Sequence, residues 1–173
     1  MLAFKLKNTL TSTKRLLEIR TELLPKNRLV KNKSGAIKLF DTKIAIVLLS
    51  SLKNWQKLNI TSFLTSGIIG QKSSLIGEKY IDKSNYEYLA LNRQPVVVLE
   101  ADLSVLKKIH ARILERSLNC SLYIEDMFTT GNDEANRSTV KNYNSEDLPL
   151  VGLALREDKK IVDKVTKGAK LHS

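Results

Sequence analysis

The pattern with the clearest capacity for chemistry is a long polar segment that begins at Asp126. It spans residues 126–147 and follows a short apolar stretch, 120–124, that is typical of a buried strand. Few connections in compact domains are this long without a purpose. The segment is rich in carboxylate, amide and hydroxyl groups, and it follows the carboxyl end of a predicted strand, where open α/β sheets place their ligands. It therefore predicts a binding loop, and a solvated surface excursion is the alternative.

The signatures of the common enzyme classes are absent from the sequence. It contains no Gly-rich phosphate loop, no Gly-x-Ser-x-Gly elbow and no His-Glu-x-x-His motif. The two histidines, His110 and His172, are too few for the usual metal clusters, and His110 falls on the apolar side of a predicted helix, as a core histidine does. We therefore expect no metal and no cofactor. The single Cys120 excludes a disulfide framework within the chain and points to a reducing compartment.

Alternating strand and helix patterns must position the polar segment. The strand at 43–50 is a continuous apolar run, as expected of a strand covered on both faces. A helix at 55–69 follows it, with Leu58, Phe63 and Ile69 expected against the sheet. A small hairpin is predicted at 79–89, and further strands are predicted at 95–100, 120–125 and 150–155. A helix at 103–117 is expected to be capped by Asp102, and a short helix is expected to be capped by Asn132, with Asp133 and Glu134 in its first turn. A closing helix is predicted at 161–169, with Val162 and Val165 facing inward. Strands that alternate with helices predict a mixed, largely parallel sheet of the α/β class.

The charge of the chain is concentrated at its N-terminus. Residues 1–40 contain ten Lys and Arg residues against Glu18 and Glu22, a net +8 of the formal +11. We therefore expect two regions, a basic extension at 1–40 and an α/β domain at 41–173. Within the extension, a helix is expected near 13–24, and 26–35 has the composition of a linker.

Three interpretations of this extension remain open. Its first seventeen residues contain no acidic residue and have the composition of an organelle import presequence. Clustered cations also suit RNA phosphates or anionic lipid. The third interpretation is a solvated extension whose helix packs on the domain. The expected location is cytoplasmic, with import as the alternative, and no apolar run is long enough to span a membrane.

Several segments of the domain resemble known families. Residues 51–53, the position of Asp126, the strand at 150–155 and the stretch 161–167 resemble the archaeal-type (type II) peptidyl-tRNA hydrolases. A resemblance to an uncharacterised set of relatives, domain-of-unknown-function family 2000, is stronger. It is carried by residues 58–67, by the string 130–137 and by the Val-Gly-Leu-Ala-Leu strand, and it covers roughly 41–173.

The resemblance implies a fold and a reaction. The fold is a mixed four-stranded sheet with helices on both faces. The reaction, in the hydrolase branch, is cleavage of an ester or amide bond on a tRNA or small-molecule carrier. Asp126 would orient or activate water, Lys57 would stabilise the developing negative charge, and Lys53 would lie where the family's basic loop begins.

A binding module is the alternative function for the same cleft. It would recognise a ligand through Asn59, Thr130, Asn136 and Arg137 without turning it over. The expected partner is tRNA or a small-molecule ligand, and a homodimer is left open. The sequence decides neither between these two classes nor among their ligands.

Overall fold

The computed structural model describes residues 40–172 in full and, before them, the backbone of two short strands. The chain divides into two units, Met1–Leu39 and Phe40–Ser173. In the first unit, β1 (Val30–Lys31) pairs antiparallel with β2 (Ile37–Lys38) in a sheet of their own. The expected linker at 26–35 therefore contains a paired strand, and the expected helix near 13–24 lies outside the described residues.

The second unit is built on one mixed sheet of five strands. All four predicted strands belong to it, and a fifth, near the C-terminus, was not predicted. Its strands lie in the order β7-β8-β3-β6-β9. They are β3 (Thr42–Leu49), β6 (Val96–Ala101), β7 (Cys120–Ile124), β8 (Leu150–Asp158) and β9 (Lys170–Leu171).

The prediction of a largely parallel, four-stranded sheet is wrong, because three of the four strand pairings are antiparallel. Only β3 and β6 pair in parallel. The strands β3, β6 and β7 do run in one direction, as alternating helices require. However, β8 runs in the opposite direction and lies between β7 and β3. The first residue of β8, Leu150, pairs with the last residue of β7, Ile124. The long segment between these strands therefore begins and ends at the same end of the sheet.

The first helix, α1 (Asn54–Gln71), covers one face of this sheet. Its buried side chains are Ile60, Leu64 and Ile68, whereas Leu58 is 72% exposed and Phe63 is 50% exposed. The predicted inward face was therefore wrong. The correct face packs on alternate residues of β3, which are Ile44, Ile46 and Leu48.

Two further helices cover the opposite face, α2 (Leu103–Glu115) and α4 (Lys159–Val165). The predicted cap of α2 is confirmed, because the Asp102 side chain accepts a hydrogen bond from the backbone N–H of Val105. His110 is buried among this helix's apolar residues, as predicted, and burial lowers its pKa. The predicted inward side chains of α4, Val162 and Val165, are buried, although this helix ends at Val165 rather than at 169.

The predicted hairpin and the predicted short helix are also present. The hairpin consists of β4 (Tyr80–Ile81) and β5 (Glu87–Tyr88), which pair antiparallel. The polar segment first forms a 3-10 turn at Glu125–Thr129 and then α3 (Asp133–Val140). Asn132 caps α3, and its side chain accepts from the backbone N–H of Ala135 at 2.9 Å. The polar segment, residues 126–147, is therefore ordered at the edge of the sheet, and we call it the excursion.

Candidate functional site

Helix α1 separates two depressions on its face of the sheet. Trp55, Asn59 and Phe63 are spaced four residues apart and form one flank of the helix. They face a cleft of about 500 Å³ over β7 and the excursion, which we call the aromatic cleft. Residues Asn54, Lys57 and Thr61 form the other flank. They face a groove of about 650 Å³ over β6 and β9, which we call the charged groove.

Four aromatic rings run across the aromatic cleft. Trp55 meets Phe128 edge to face at 5.6 Å between centroids, Phe128 meets Tyr123 at 5.2 Å, and Tyr123 meets Phe63 at 5.8 Å. Tyr123 is 4% exposed and forms part of the core, whereas Trp55 is 58% exposed and Phe63 is 50% exposed. Exposed rings supported from below by buried ones present fixed apolar faces for a ligand.

Polar side chains interrupt this apolar lining. The Tyr123 hydroxyl lies 3.4 Å from the Asn59 amide oxygen and 3.4 Å from the carbonyl of Met127. The Thr130 hydroxyl donates to the same Met127 carbonyl at 2.9 Å and also contacts the Asn136 amide oxygen. Burial raises the pKa of Tyr123, so its hydroxyl stays protonated at neutral pH and acts as a donor. These contacts gather Asn59, Thr130 and Asn136 around the end of β7.

Close packing of α1 on the sheet gives the cleft its depth. A Cβ at Gly67 would lie 2.3 Å from Ser121 Oγ, and a Cβ at Gly152 would lie 2.7 Å from the Ile60 side chain. Any side chain at these two positions would move the helix or its neighbours. Glycine at these two positions thus allows α1 to approach β7 and β8.

In the charged groove the polar groups neutralise one another. Lys57 Nζ lies 3.2 Å from Glu100 Oε2, and both side chains are largely buried, at 13% and 26% exposure. His172 Nε2 lies 3.9 Å from the same oxygen. The floor is apolar and includes Leu48 and Val98. The Lys57 ammonium therefore forms an ion pair with Glu100 of β6.

Asp126 lies at the carboxyl end of β7, as predicted. Its carboxylate accepts a hydrogen bond from the Tyr143 hydroxyl at 3.0 Å, and its backbone carbonyl accepts from the Thr129 hydroxyl at 2.9 Å. The bond to Asp126 raises the pKa of Tyr143, because ionisation of the phenol would remove the donated proton. Asp126 is half-buried but lines neither the aromatic cleft nor the charged groove.

The structure brings together three of the seven predicted site residues, Asn59, Thr130 and Asn136, in the aromatic cleft. The others lie elsewhere. Arg137 lies on the adjacent side of α3 and pairs with Asp133, Lys53 is exposed before α1, and Lys57 lines the charged groove.

Sequence reasoning missed the aromatic rings and the acidic partner of Lys57. The spacing of Trp55, Asn59 and Phe63 was the available signal, because residues four apart share one helix face. These three side chains lie beside the buried face of α1. They place an amide between two aromatic rings, which is a composition typical of a surface that faces a ligand. Glu100 gave no signal, because only the pairing of strands brings it under α1.

Two kinds of site are not found in the described part of the chain. Residues 40–172 contain no group of three or more His, Cys, Asp or Glu residues arranged to hold a metal ion. None of the helices in this part is long and apolar enough to cross a membrane.

Comparison with known proteins places the chain in a family. Residues 42–173 match the profile of the family described as protein of unknown function (DUF2000). A solved structure of a protein of unknown function from Agrobacterium tumefaciens is 53% identical, with a TM-score of 0.76, and the match covers 78% of this chain and 99% of that one. No curated protein gives a significant match. Nothing in these matches links the chain to the type II peptidyl-tRNA hydrolases. The expected resemblance to domain-of-unknown-function family 2000 is confirmed. The chain belongs to the DUF2000 family of proteins of unknown function.

Proposed function

We propose that this protein is a ligand-binding module and that its aromatic cleft receives a flat, ring-containing small molecule. The observation that carries this proposal is the row of four rings, two of which expose about half of their surface. Large apolar side chains normally lie inside, so exposed rings fixed on a rigid core are typical of a recognition surface. The volume of about 500 Å³ suits one small molecule.

The polar lining supports recognition rather than capture by charge. Asn59, Thr130 and Asn136 offer amide and hydroxyl groups at the edge of the rings. A few polar groups placed in an apolar cleft fix the orientation of a ligand. The three residues belong to α1, to the turn before α3 and to α3, so a bound ligand would bridge α1 and the excursion.

The single tryptophan of the chain, Trp55, makes this proposal directly testable. A ring that stacks in the cleft is expected to change the fluorescence of Trp55 in a saturable way. We would titrate the full-length protein with indole, quinoline, a purine nucleoside and a pyrimidine nucleoside. The absence of any saturable change, and of any heat by calorimetry with all four compounds, would overturn the proposal.

A substitution series assigns the binding to the cleft. Trp55→Ala is expected to weaken binding by roughly 5- to 150-fold by calorimetry, because stacking on an aromatic side chain contributes about 1–3 kcal/mol. Leu58→Ala is the matched control, since Leu58 is 72% exposed on the same helix but faces the charged groove. Equal weakening by both variants would place the ligand outside the aromatic cleft.

Ester or amide hydrolysis on a tRNA or small-molecule carrier is the second candidate. The half-buried Asp126 carboxylate, held by Tyr143 at the carboxyl end of β7, favours it. In this hypothesis Asp126 takes a proton from the attacking water, and the alcohol or amine leaves with that proton. The predicted role of Lys57 in stabilising the oxyanion would require its ammonium to leave Glu100. Three further expectations for the protein stay predictions: a cytoplasmic location, an import role for residues 1–40, and self-association.

The hydrolase hypothesis has its own assay. Asp126→Asn is expected to reduce turnover of a peptidyl-tRNA ester by roughly two to four orders of magnitude. Stability should change by less than about 1 kcal/mol, because asparagine keeps an oxygen that can accept the Tyr143 hydrogen bond. Asp147→Asn in the same excursion is the control and should keep wild-type turnover. A wild-type protein without turnover above background would reject this candidate and leave the binding module.

A further inference from the structure

Resting on the proposed function, we infer that the ligand of the aromatic cleft is an uncharged nitrogen heterocycle with donors and acceptors on its edge, a free nucleobase or nucleoside rather than a nucleotide or an RNA strand. Two independent features of the lining carry this inference. One is the sign and number of its charges, and the other is its pair of amide side chains.

The charge of the lining disfavours phosphate. Among the described residues that line the aromatic cleft, Asp133 is the only one that carries a charge at neutral pH. Arg137, a cation of the same helix, forms an ion pair with Asp133. Nucleotides and RNA strands are bound mainly through cations that face their phosphates. The described lining therefore offers a phosphate no cation that is not already paired, whereas an uncharged ring needs none.

The two amides match the edge of a base. The Asn59 amide oxygen makes only a 3.4 Å contact with Tyr123, and within the described residues neither Asn59 nor Asn136 has a hydrogen-bond partner for its amide nitrogen. An asparagine amide places a donor beside an acceptor, which is the pattern that pairs with the N6 and N7 positions of adenine. A plain hydrocarbon ring would offer these amides no hydrogen-bond partner. The lining therefore favours a ring with a polar edge over one without.

The test compares three probes on the full chain by isothermal titration calorimetry: adenosine, adenosine 5′-monophosphate and indole. Adenosine is expected to bind at least tenfold more tightly than either of the others. Its affinity should change less than twofold between low and moderate salt, because no phosphate contact releases counterions. Asn136→Leu is expected to lower adenosine affinity at least fivefold and to leave indole affinity within twofold.

A variant at the rim isolates the charge argument. Asp133→Asn is expected to improve binding of adenosine 5′-monophosphate at least threefold and to leave adenosine within twofold, because it frees the Arg137 guanidinium to pair with the phosphate. Glu134→Gln is the matched control, since this neighbouring acid is exposed in the same helical turn but does not line the cleft. Equal gains from both variants would contradict a specific role for Asp133.

The outcomes separate this inference from the proposed function. Tighter binding of the monophosphate, with steep salt dependence, would overturn the inference and leave a cleft that binds rings. Indole binding equal to adenosine binding, unaffected by Asn136→Leu, would do the same. The absence of binding by all three probes would overturn the inference, and the additional absence of binding by quinoline and a pyrimidine nucleoside would overturn the proposed function.

Discussion

The aromatic cleft and the charged groove flank the same helix over the same sheet, yet their polar groups are used differently. In the charged groove, Lys57 and His172 converge on one oxygen of Glu100, so the charges are matched internally. In the aromatic cleft, Asn59 and Asn136 keep amide nitrogens without partners among the described residues, above exposed rings. A depression whose polar groups satisfy one another holds the fold together, whereas one that leaves them available can hold a ligand.

This difference explains why charge was a poor guide to the site. The resemblance to the hydrolases implied that Lys57 would stabilise a developing negative charge, but its ammonium pairs with Glu100 of the neighbouring strand. Apart from Asp133, the described residues that line the aromatic cleft are neutral, and its rings and amides are the groups with available space.

We predict the strongest destabilisation at the close contact between α1 and β8. Gly152→Ala would place a Cβ 2.7 Å from the Ile60 side chain and 3.1 Å from Leu64, so we expect a loss of about 1–3 kcal/mol in the free energy of unfolding. Gly70→Ala is the matched control in α1, with no heavy atom within 4 Å of the added Cβ, and should stabilise by up to about 1 kcal/mol. Urea denaturation measures both. Equal effects would mean that α1 does not rest closely on β8.

A smaller effect is expected from breaking the ion pair of the charged groove. Lys57→Met keeps the aliphatic stem but leaves the largely buried Glu100 without its ammonium partner, and should cost about 1–2 kcal/mol. Adding Glu100→Gln should restore part of the loss. Lys79→Met is the control, because the Lys79–Glu87 pair is more than half exposed and should change stability by less than about 1 kcal/mol.

The same variant tests the independence of the two depressions. Lys57→Met is expected to leave ring binding in the aromatic cleft within twofold of wild type, since Lys57 lies on the other flank of α1. A tenfold loss of affinity would show that the two depressions act as one site.

The smallest expected effect uses the opposite face of the sheet as a reference. Burial lowers the pKa of His110 below its ordinary value of 6.5, so the unfolded chain binds the proton first as the pH falls. The contribution of His110 to stability is therefore complete above pH 6.5 and declines below it. Thermal unfolding at several pH values should show that His110→Leu removes this decline from pH 6.5 downward. An unchanged decline in the variant would assign it to other groups.

Much of the fold could be predicted because local signals agreed with tertiary packing. The caps Asp102 and Asn132 were recognisable, since their side chains satisfy backbone N–H groups within three residues along the chain. The hairpin at β4 and β5 was predicted for the same reason, because its polar turn lies between two short apolar stretches. The site was predicted only in part. Asn59, Thr130 and Asn136 meet in one cleft, while the rings that define it were assigned to the core or not considered.

Strand directions and the environment of α1 were beyond sequence reasoning for a physical reason. The position of β8 between β7 and β3 depends on where the excursion returns, and composition does not specify the end point of a long connection. The inward face of α1 was equally ambiguous, because Leu58, Phe63 and Ile69 lie interspersed with Ile60, Leu64 and Ile68, and only packing selects one set.

The sequence alone determined the chemistry of each local element: a strand at 43–50 apolar enough to be covered on both sides, capped helices, and a long polar segment after a buried strand. Tertiary structure alone decided which of these groups meet. It placed Glu100 beneath Lys57, Tyr143 beside Asp126, and the rings of β7 and the excursion against Trp55 and Phe63. Local preferences act within a few residues, whereas these contacts join positions 17 to 73 residues apart and depend on the order of strands in the sheet.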